Sequence, residues 1–184
     1  HAIRLKGWKV GATQPKAQST NGLEKPFLGP IFHHQVYRQK DDNDIIPLRN
    51  TMIGQLAPRA ECEFAFVFKN PLPAREPGSE PYTREQVAEA IGEVIPAMEL
   101  VGSRVEDVGD QSKEFFLRMA DCGSHVALLL SHSTLKDPSI QDLESLCFSK
   151  VEFTMNEDEE VINGQGNYVY NGQVHKGSTV GPLD

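Results

Sequence analysis

Polar and apolar positions alternate most clearly in two stretches of the chain. Ile3 to Val10 alternates and closes on Gly11, which predicts a strand carrying Lys9 within Gly7-Trp8-Lys9-Val10-Gly11. Glu61 to Lys69 predicts a second strand, with Cys62, Phe64, Phe66 and Phe68 on one face and Glu61, Glu63, Ala65 and Val67 on the other. Thr83 with Gln86 three residues on is a capping-box pattern, and Val87, Ala90, Ile91 and Val94 recur at helical spacing, so a helix is predicted from there until Pro96 stops it. Ala97 to Val101 then reads as a strand with Glu99 in its apolar run.

Further along, Asp110 to Ala120 predicts a short helix. The turn Asp121-Cys122-Gly123-Ser124 leads into a buried strand at His125 to Leu130. Phe148 to Met155 and Glu160 to Ile162 predict a hairpin with an acidic turn at Asn156 to Glu159 and a glycine-rich bend at Asn163 to Gly166. Residues 14 to 30, with Pro15, Asn21-Gly22, Pro26 and Gly29-Pro30, read as a long turn-rich loop, with His33 and His34 just past its end.

Length and charge narrow the function. A chain of 184 residues suits one domain, 1–184, and 39% apolar residues with 15 glycines and 12 prolines describe a turn-rich globular protein. Acids outnumber lysines and arginines by 26 to 18, giving a formal charge of −8, and the basic residues form no stripe, which argues against nucleic acid as a partner. The longest clean apolar runs, Phe64 to Phe68 and Val126 to Leu130, fall far short of the roughly 20 residues of a membrane span. Cys62, Cys122 and Cys147 form no Cys-x-x-Cys pair, so they read as buried thiols, and a cytoplasmic location is expected.

Carboxylates two apart on a strand project from one face about 6.5 to 7 Å apart, so Glu61 and Glu63 can converge on one cation. A solvated strand face is the plain alternative for any Glu-x-Glu. Ala65 and Val67 on the same face, and Glu99 in a segment too apolar for an unpaired charge, favour a shared site. Oxygen-only ligands suit Mg²⁺ or Mn²⁺, whereas zinc prefers cysteine or histidine. Lys9, between glycines, is either a point charge for a substrate carboxylate or a surface lysine. His33 and His34 are either proton shuttles or exposed loop residues. Arg104 is either a carboxylate ligand or, as the simpler reading, one half of a structural ion pair. Asp121 can act as a turn-former.

Four segments carry a resemblance: Gly7-Trp8-Lys9-Val10-Gly11-Ala12-Thr13, Arg59-Ala60-Glu61-Cys62-Glu63-Phe64-Ala65-Phe66, Pro96-Ala97-Met98-Glu99-Leu100-Val101-Gly102-Ser103-Arg104, and Ala120-Asp121. In order and spacing the chain resembles, over residues 7 to 166, the fumarylacetoacetate hydrolase superfamily in its 2-keto-4-pentenoate hydratase and 4-oxalocrotonate decarboxylase branch. The resemblance implies an α+β, mainly β domain, a mixed β-sandwich roll or distorted barrel, with the chain expected to be incomplete at both ends. It also implies a homo-oligomer, with Mg²⁺ or Mn²⁺ held by Glu61, Glu63 and Glu99 and chelating a small 2-oxo or 2-hydroxydienoic acid. Lys9, Ser103, Arg104 and Asp121 are then expected along the substrate, with Lys9, His33 and His34 as the catalytic groups.

The implied reaction is hydration of a dienoate. Decarboxylation of an oxalocrotonate-like diacid and hydrolytic cleavage of an acylpyruvate are its neighbours. Two departures stand out: His34 lies where members of this branch often carry an acid, and Asn163 lies where some hydratases have serine. They motivate one further alternative, a catalytically silent member that only binds a metal or oxo-acid.

Overall fold

A computed structural model describes residues 3–42, 44, 46, 59–105, 109–146, 151–155, 160–164, 168–170 and 173–175. In chain order the elements are β1 (Leu5–Gly11), α1 (Pro15–Thr20), β2 (Phe27–Phe32), β3 (Val36–Arg38), β4 (Arg59–Phe68), α2 (Arg84–Ala90), β5 (Ile91–Val101), α3 (Gln111–Ala120), β6 (His125–Leu130), β7 (Leu135–Lys136), α4 (Ile140–Ser145), β8 (Val151–Met155), β9 (Glu160–Gly164), β10 (Tyr168–Tyr170) and β11 (Gln173–His175). The protein is mainly sheet with short helices. A mixed five-stranded sheet runs β3-β6-β5-β4, with β7 also on β5; β3 and β6 are parallel and the other pairs antiparallel. β1-β2, β8-β9 and β10-β11 are separate antiparallel ribbons. The described strands form no closed barrel, because the outer strands β3 and β4 of the main sheet are not paired with each other.

The core lies along β5 and β6. Met98, Leu100, Val126, Ala127 and Leu129 pack together, with Tyr37, Ile46 and Ala60 against them. Each large apolar side chain buried there contributes about 1.5–3 kcal/mol. β5 is buried along most of its length because it is central, with β4 on one side and β6 and β7 on the other.

Two local expectations are corrected. The helix opened by Thr83 has its capping box, with the Gln86 amide donating to Thr83 Oγ1 at 3.3 Å and the Thr83 amide to Gln86 Oε1 at 3.0 Å, yet it ends at Ala90. Ile91, Val94 and Ile95 are β-branched and Gly92 is a poor helix residue, so this stretch gains more by extending against β4. Pro96 consequently lies inside β5 rather than stopping a helix. Its carbonyl accepts from the Ser131 amide at 3.0 Å, one residue beyond the end of β6, so the missing N–H forfeits only a bond at the end of that ladder.

The turn-rich stretch of residues 14 to 30 is also more ordered than its composition suggests. Pro15 occupies the first turn of α1, where its absent N–H costs nothing, and residues 27–32 form β2 against β1. The β8-β9 hairpin is present, while Cys147 and the acidic turn at 156–159 lie outside the described residues. Cys62 and Cys122 are free thiols. No helix among the described residues is long and apolar enough to cross a membrane.

Candidate functional site

β4 places Glu61 and Glu63 on one face through the two-residue period of a strand. β5 brings Glu99 directly across the ladder from Glu61. One carboxylate oxygen from each of Glu61, Glu63 and Glu99 lies within 4.8 Å of the other two. Two oxygens on one Mg²⁺ stand no more than about 4.2 Å apart at bonds of about 2.1 Å, so small side-chain rotations suffice for all three to share an ion. Glu99 is only 4% exposed, while Glu61 and Glu63 are exposed by residue area.

Lys9 reaches this group from β1. Its Nζ donates to both oxygens of Glu99, at 2.7 and 2.9 Å, and to the Gly123 carbonyl at 3.3 Å. Its aliphatic stem crosses Gly29, its cross-strand partner in β2. A Cβ on Gly29 would stand 2.9 Å from Lys9 Cγ and 2.6 Å from the Cys122 carbonyl oxygen, so the close approach requires glycine. The turn supplying the Gly123 carbonyl has three successive residues at positive φ, Cys122 (55°), Gly123 (66°) and Ser124 (63°). Left-handed conformations at the two non-glycine positions cost on the order of 1–2 kcal/mol each, and local bonds hold them. The Ser124 amide donates to the Asp121 carbonyl and the Gly102 amide to the Ser124 carbonyl, both at 2.9 Å.

The electrostatics follow from crowding. Glu63 is pushed up to about 7, first by loss of hydration, then by the charges of Glu99 and Glu61, against a lowering by Lys9. Glu61 is raised too, with burial leading and Glu99 next, while Lys9 and Arg59 pull it down. By whole-residue area both are exposed, but their carboxylate ends stand among protein atoms, and lost hydration is therefore the leading cause. Three carboxylates against one ammonium leave an uncompensated charge of −2 when all are ionised. The donor set therefore fits a hard divalent cation in both charge and ligand type. Zinc fits less well, because Cys62 points to the other face of β4 and the His125 Nδ1 is committed to Glu99 at 2.7 Å.

The other expected residues stand in different relationships. Arg104 Nε donates to Asp121 Oδ1 at 2.9 Å, and its Nη2 donates to the His125 carbonyl at 2.8 Å. That pair ties the end of β5 to the strained turn, and Asp121 Oδ2 is buried with no hydrogen-bond partner among the described residues. Ser103 closes a local turn with Val105. His33 and His34 are exposed on a short 3₁₀ turn after β2, with the His34 ring stacked on Phe32 at 6.2 Å, and neither is hydrogen-bonded to the carboxylates. Sequence reasoning missed His125, which is wholly buried and bonded to Glu99. Its only sequence signal is a histidine opening an otherwise apolar strand.

A mixed sheet bearing an oxygen-only acidic cluster, with a lysine on its buried member, defines a class of protein able to seat a hard divalent cation. No family model matches the chain. It is 28% identical over 148 residues to a 2-keto-4-pentenoate hydratase of Paraburkholderia xenovorans LB400, covering 80% of this chain and 49% of that protein. It is 32% identical over 123 residues to a 2-hydroxypent-2,4-dienoate hydratase of Pseudomonas putida, covering 67% and 50%. The fold is similar to that of 4-oxalocrotonate decarboxylase from Pseudomonas putida G7 complexed with magnesium and adipate, at a TM-score of 0.59 and 23% identity over 89% of this chain and 55% of the other. These likenesses, to dienoate hydratases in sequence and to 4-oxalocrotonate decarboxylase in fold, agree with the resemblance to that branch of the fumarylacetoacetate hydrolase superfamily. It spans about half the length of the curated relatives it matches.

Proposed function

We propose that this chain carries the site of a divalent-metal-dependent lyase, a hydratase of a small 2-oxo or 2-hydroxydienoic acid such as 2-hydroxypenta-2,4-dienoate. The observation that supports it most is the convergence of Glu61, Glu63 and Glu99 beside the Lys9 ammonium. The names of its relatives, hydratases of such acids, support this substrate class.

Charge supplies the physical argument. A cluster at −2 repels an organic acid, and a divalent cation brings it to neutrality, so the acid can bind only to the loaded site. Glu61, Glu63 and Glu99 would hold Mg²⁺ or Mn²⁺, which when bound supplies Lewis-acid polarisation of the substrate carboxylate and the adjacent oxygen. Lys9 donates to the negative charge that develops on that oxygen; its flexible stem lets Nζ turn from Glu99 toward the acid. Arg104 and Asp121 hold the turn that presents the Gly123 carbonyl to Lys9, and Ser103 shapes the chain between them. His33 or His34 moves the proton to or from the distal carbon.

Thermal-shift titration with Mg²⁺ and Mn²⁺, with and without oxalate or pyruvate, tests the reading beside a Glu61→Ala/Glu63→Ala variant. Stabilisation by cation, enlarged by oxalate and lost in the variant, is expected, followed by hydration of a dienoate from a substrate panel. Turnover of an oxalocrotonate-like diacid instead would assign decarboxylation to the same residues. Stabilisation without turnover of any panel member would assign the silent binding role, and no shift in either protein would refute the metal site.

A further inference from the structure

Glu99 is held from two sides. Lys9 donates to both of its oxygens, and His125 Nδ1 lies 2.7 Å from Oε1. A carboxylate that takes two bonds from an ammonium has no proton to give, so Nδ1 carries the proton and donates it. Oε1 thus accepts from Nζ and from Nδ1, whereas among the described residues Oε2 accepts from Nζ alone.

The two donors differ in stiffness. Lys9 reaches Glu99 on a long, mobile stem and is partly exposed; His125 is 0% exposed and its ring turns about only two bonds. The backbone at His125 is held as well, its carbonyl accepting from Arg104 Nη2 at 2.8 Å and Gln35 Nε2 at 3.5 Å. The far ring nitrogen, Nε2, is buried with no hydrogen-bond partner, so the Glu99 bond is the one polar anchor the ring has among the described residues. A buried ring that leaves one nitrogen unsatisfied to keep the other on a carboxylate carries a cost that an apolar side chain at this position would avoid.

We propose that His125 is the positioning residue of this cation site. It pins Glu99 by Oε1, so the buried carboxylate meets Glu61 and Glu63 in one fixed orientation even when the Lys9 ammonium swings away. This role rests on the cation-holding reading of the three glutamates. It extends the site inward from β4 and β5 to the first residue of β6, and through the His125 carbonyl to the Arg104–Asp121 pair.

Calorimetric titration of the full chain with Mn²⁺ tests it in wild type, His125→Asn and His125→Leu. Asparagine keeps an N–H donor near the place of Nδ1; leucine fills similar space without one. The asparagine variant is expected to bind within about threefold of wild type, and the leucine variant about 10–100-fold more weakly, the usual effect of losing a hydrogen-bonded support of a ligand. A folded leucine variant that binds as wild type, or an asparagine variant as impaired as leucine, would overturn the role. Should the leucine variant not fold, ¹⁵N-histidine NMR of the wild type with Mg²⁺ decides: a proton on His125 Nδ1 supports the bond, and a proton on Nε2 alone overturns it. Failure of the wild type itself to bind Mn²⁺ would overturn the cation reading, and this role with it.

Discussion

Glu61 and Glu99 are direct cross-strand partners in the β4-β5 ladder. Like charges opposite each other weaken a sheet by about 0.2–1 kcal/mol per pair, and Glu63 adds a third acid from the same face. Such a rung works against folding and favours cation binding, the trade between stability and activity expected of a functional site.

Replacing one acid should therefore stabilise the metal-free protein. Glu63→Gln is expected to raise its melting temperature by roughly 2–4 °C, corresponding to about 1 kcal/mol for a chain of this size. The same change should remove most of the stabilisation by Mg²⁺. Melting curves in EDTA and in Mg²⁺ check both, and a lower melting temperature in EDTA would contradict the repulsion.

Acidity makes the same point in another variable. Glu63 is raised from 4.5 to about 7, so between those values the folded chain keeps a proton that the unfolded chain has released. The stabilisation from that proton is complete below about 4.5 and is lost as pH climbs through about 7. Metal-free stability should fall across that window, and cation binding, which competes with the proton, should tighten across it. Melting temperatures in EDTA and Mn²⁺ titrations at pH 5.5 and 7.5 measure the two effects; a pH-independent affinity would count against the pairing of Glu63 with a cation.

Lys9 is expected to have opposite effects on binding and turnover. Lys9→Met removes the ammonium from buried Glu99, which should destabilise the metal-free protein by about 3 kcal/mol. It also removes a competitor for that carboxylate, so Mn²⁺ should bind at least as tightly as in wild type, while turnover drops by about 100-fold or more. A loss of metal affinity equal to the loss of turnover would show that Lys9 acts only by shaping the cluster.

The glycine opposite Lys9 offers a steric check. Gly29→Ala places a methyl 2.6 Å from the Cys122 carbonyl oxygen and 2.9 Å from Lys9 Cγ. The backbone oxygen cannot swing aside as a side chain would, so a cost of about 1–3 kcal/mol is expected. Chemical denaturation measures it. Gly7→Ala, where an added Cβ meets nothing within 4 Å among the described residues, is the control on the partner strand β1.

Much of this was legible in the sequence because it is local. The two-residue period of a strand places Glu61 and Glu63 on one face whatever packs above them, and the Thr83–Gln86 box is a relation between neighbours. Where helix and strand preferences competed, as at Ile91 to Ile95, helical spacing misled, because pairing with β4 outweighed it. Glycines and prolines in residues 14 to 30 read as a loop, while Gly29 serves close packing and Pro30 lies in a ribbon strand opposite Trp8.

What the sequence by itself determined, then, is a pair of acids on one strand face, a lone acid in an apolar segment, and a lysine between glycines. Tertiary structure alone decided that Glu99 stands opposite Glu61, that Lys9 reaches across 90 residues to grip it, and that His125 holds it from inside the core. Strand register and buried polar contacts depend on which distant surfaces pack together, and a shift of one residue in the β4-β5 register would turn the paired side chains to opposite faces.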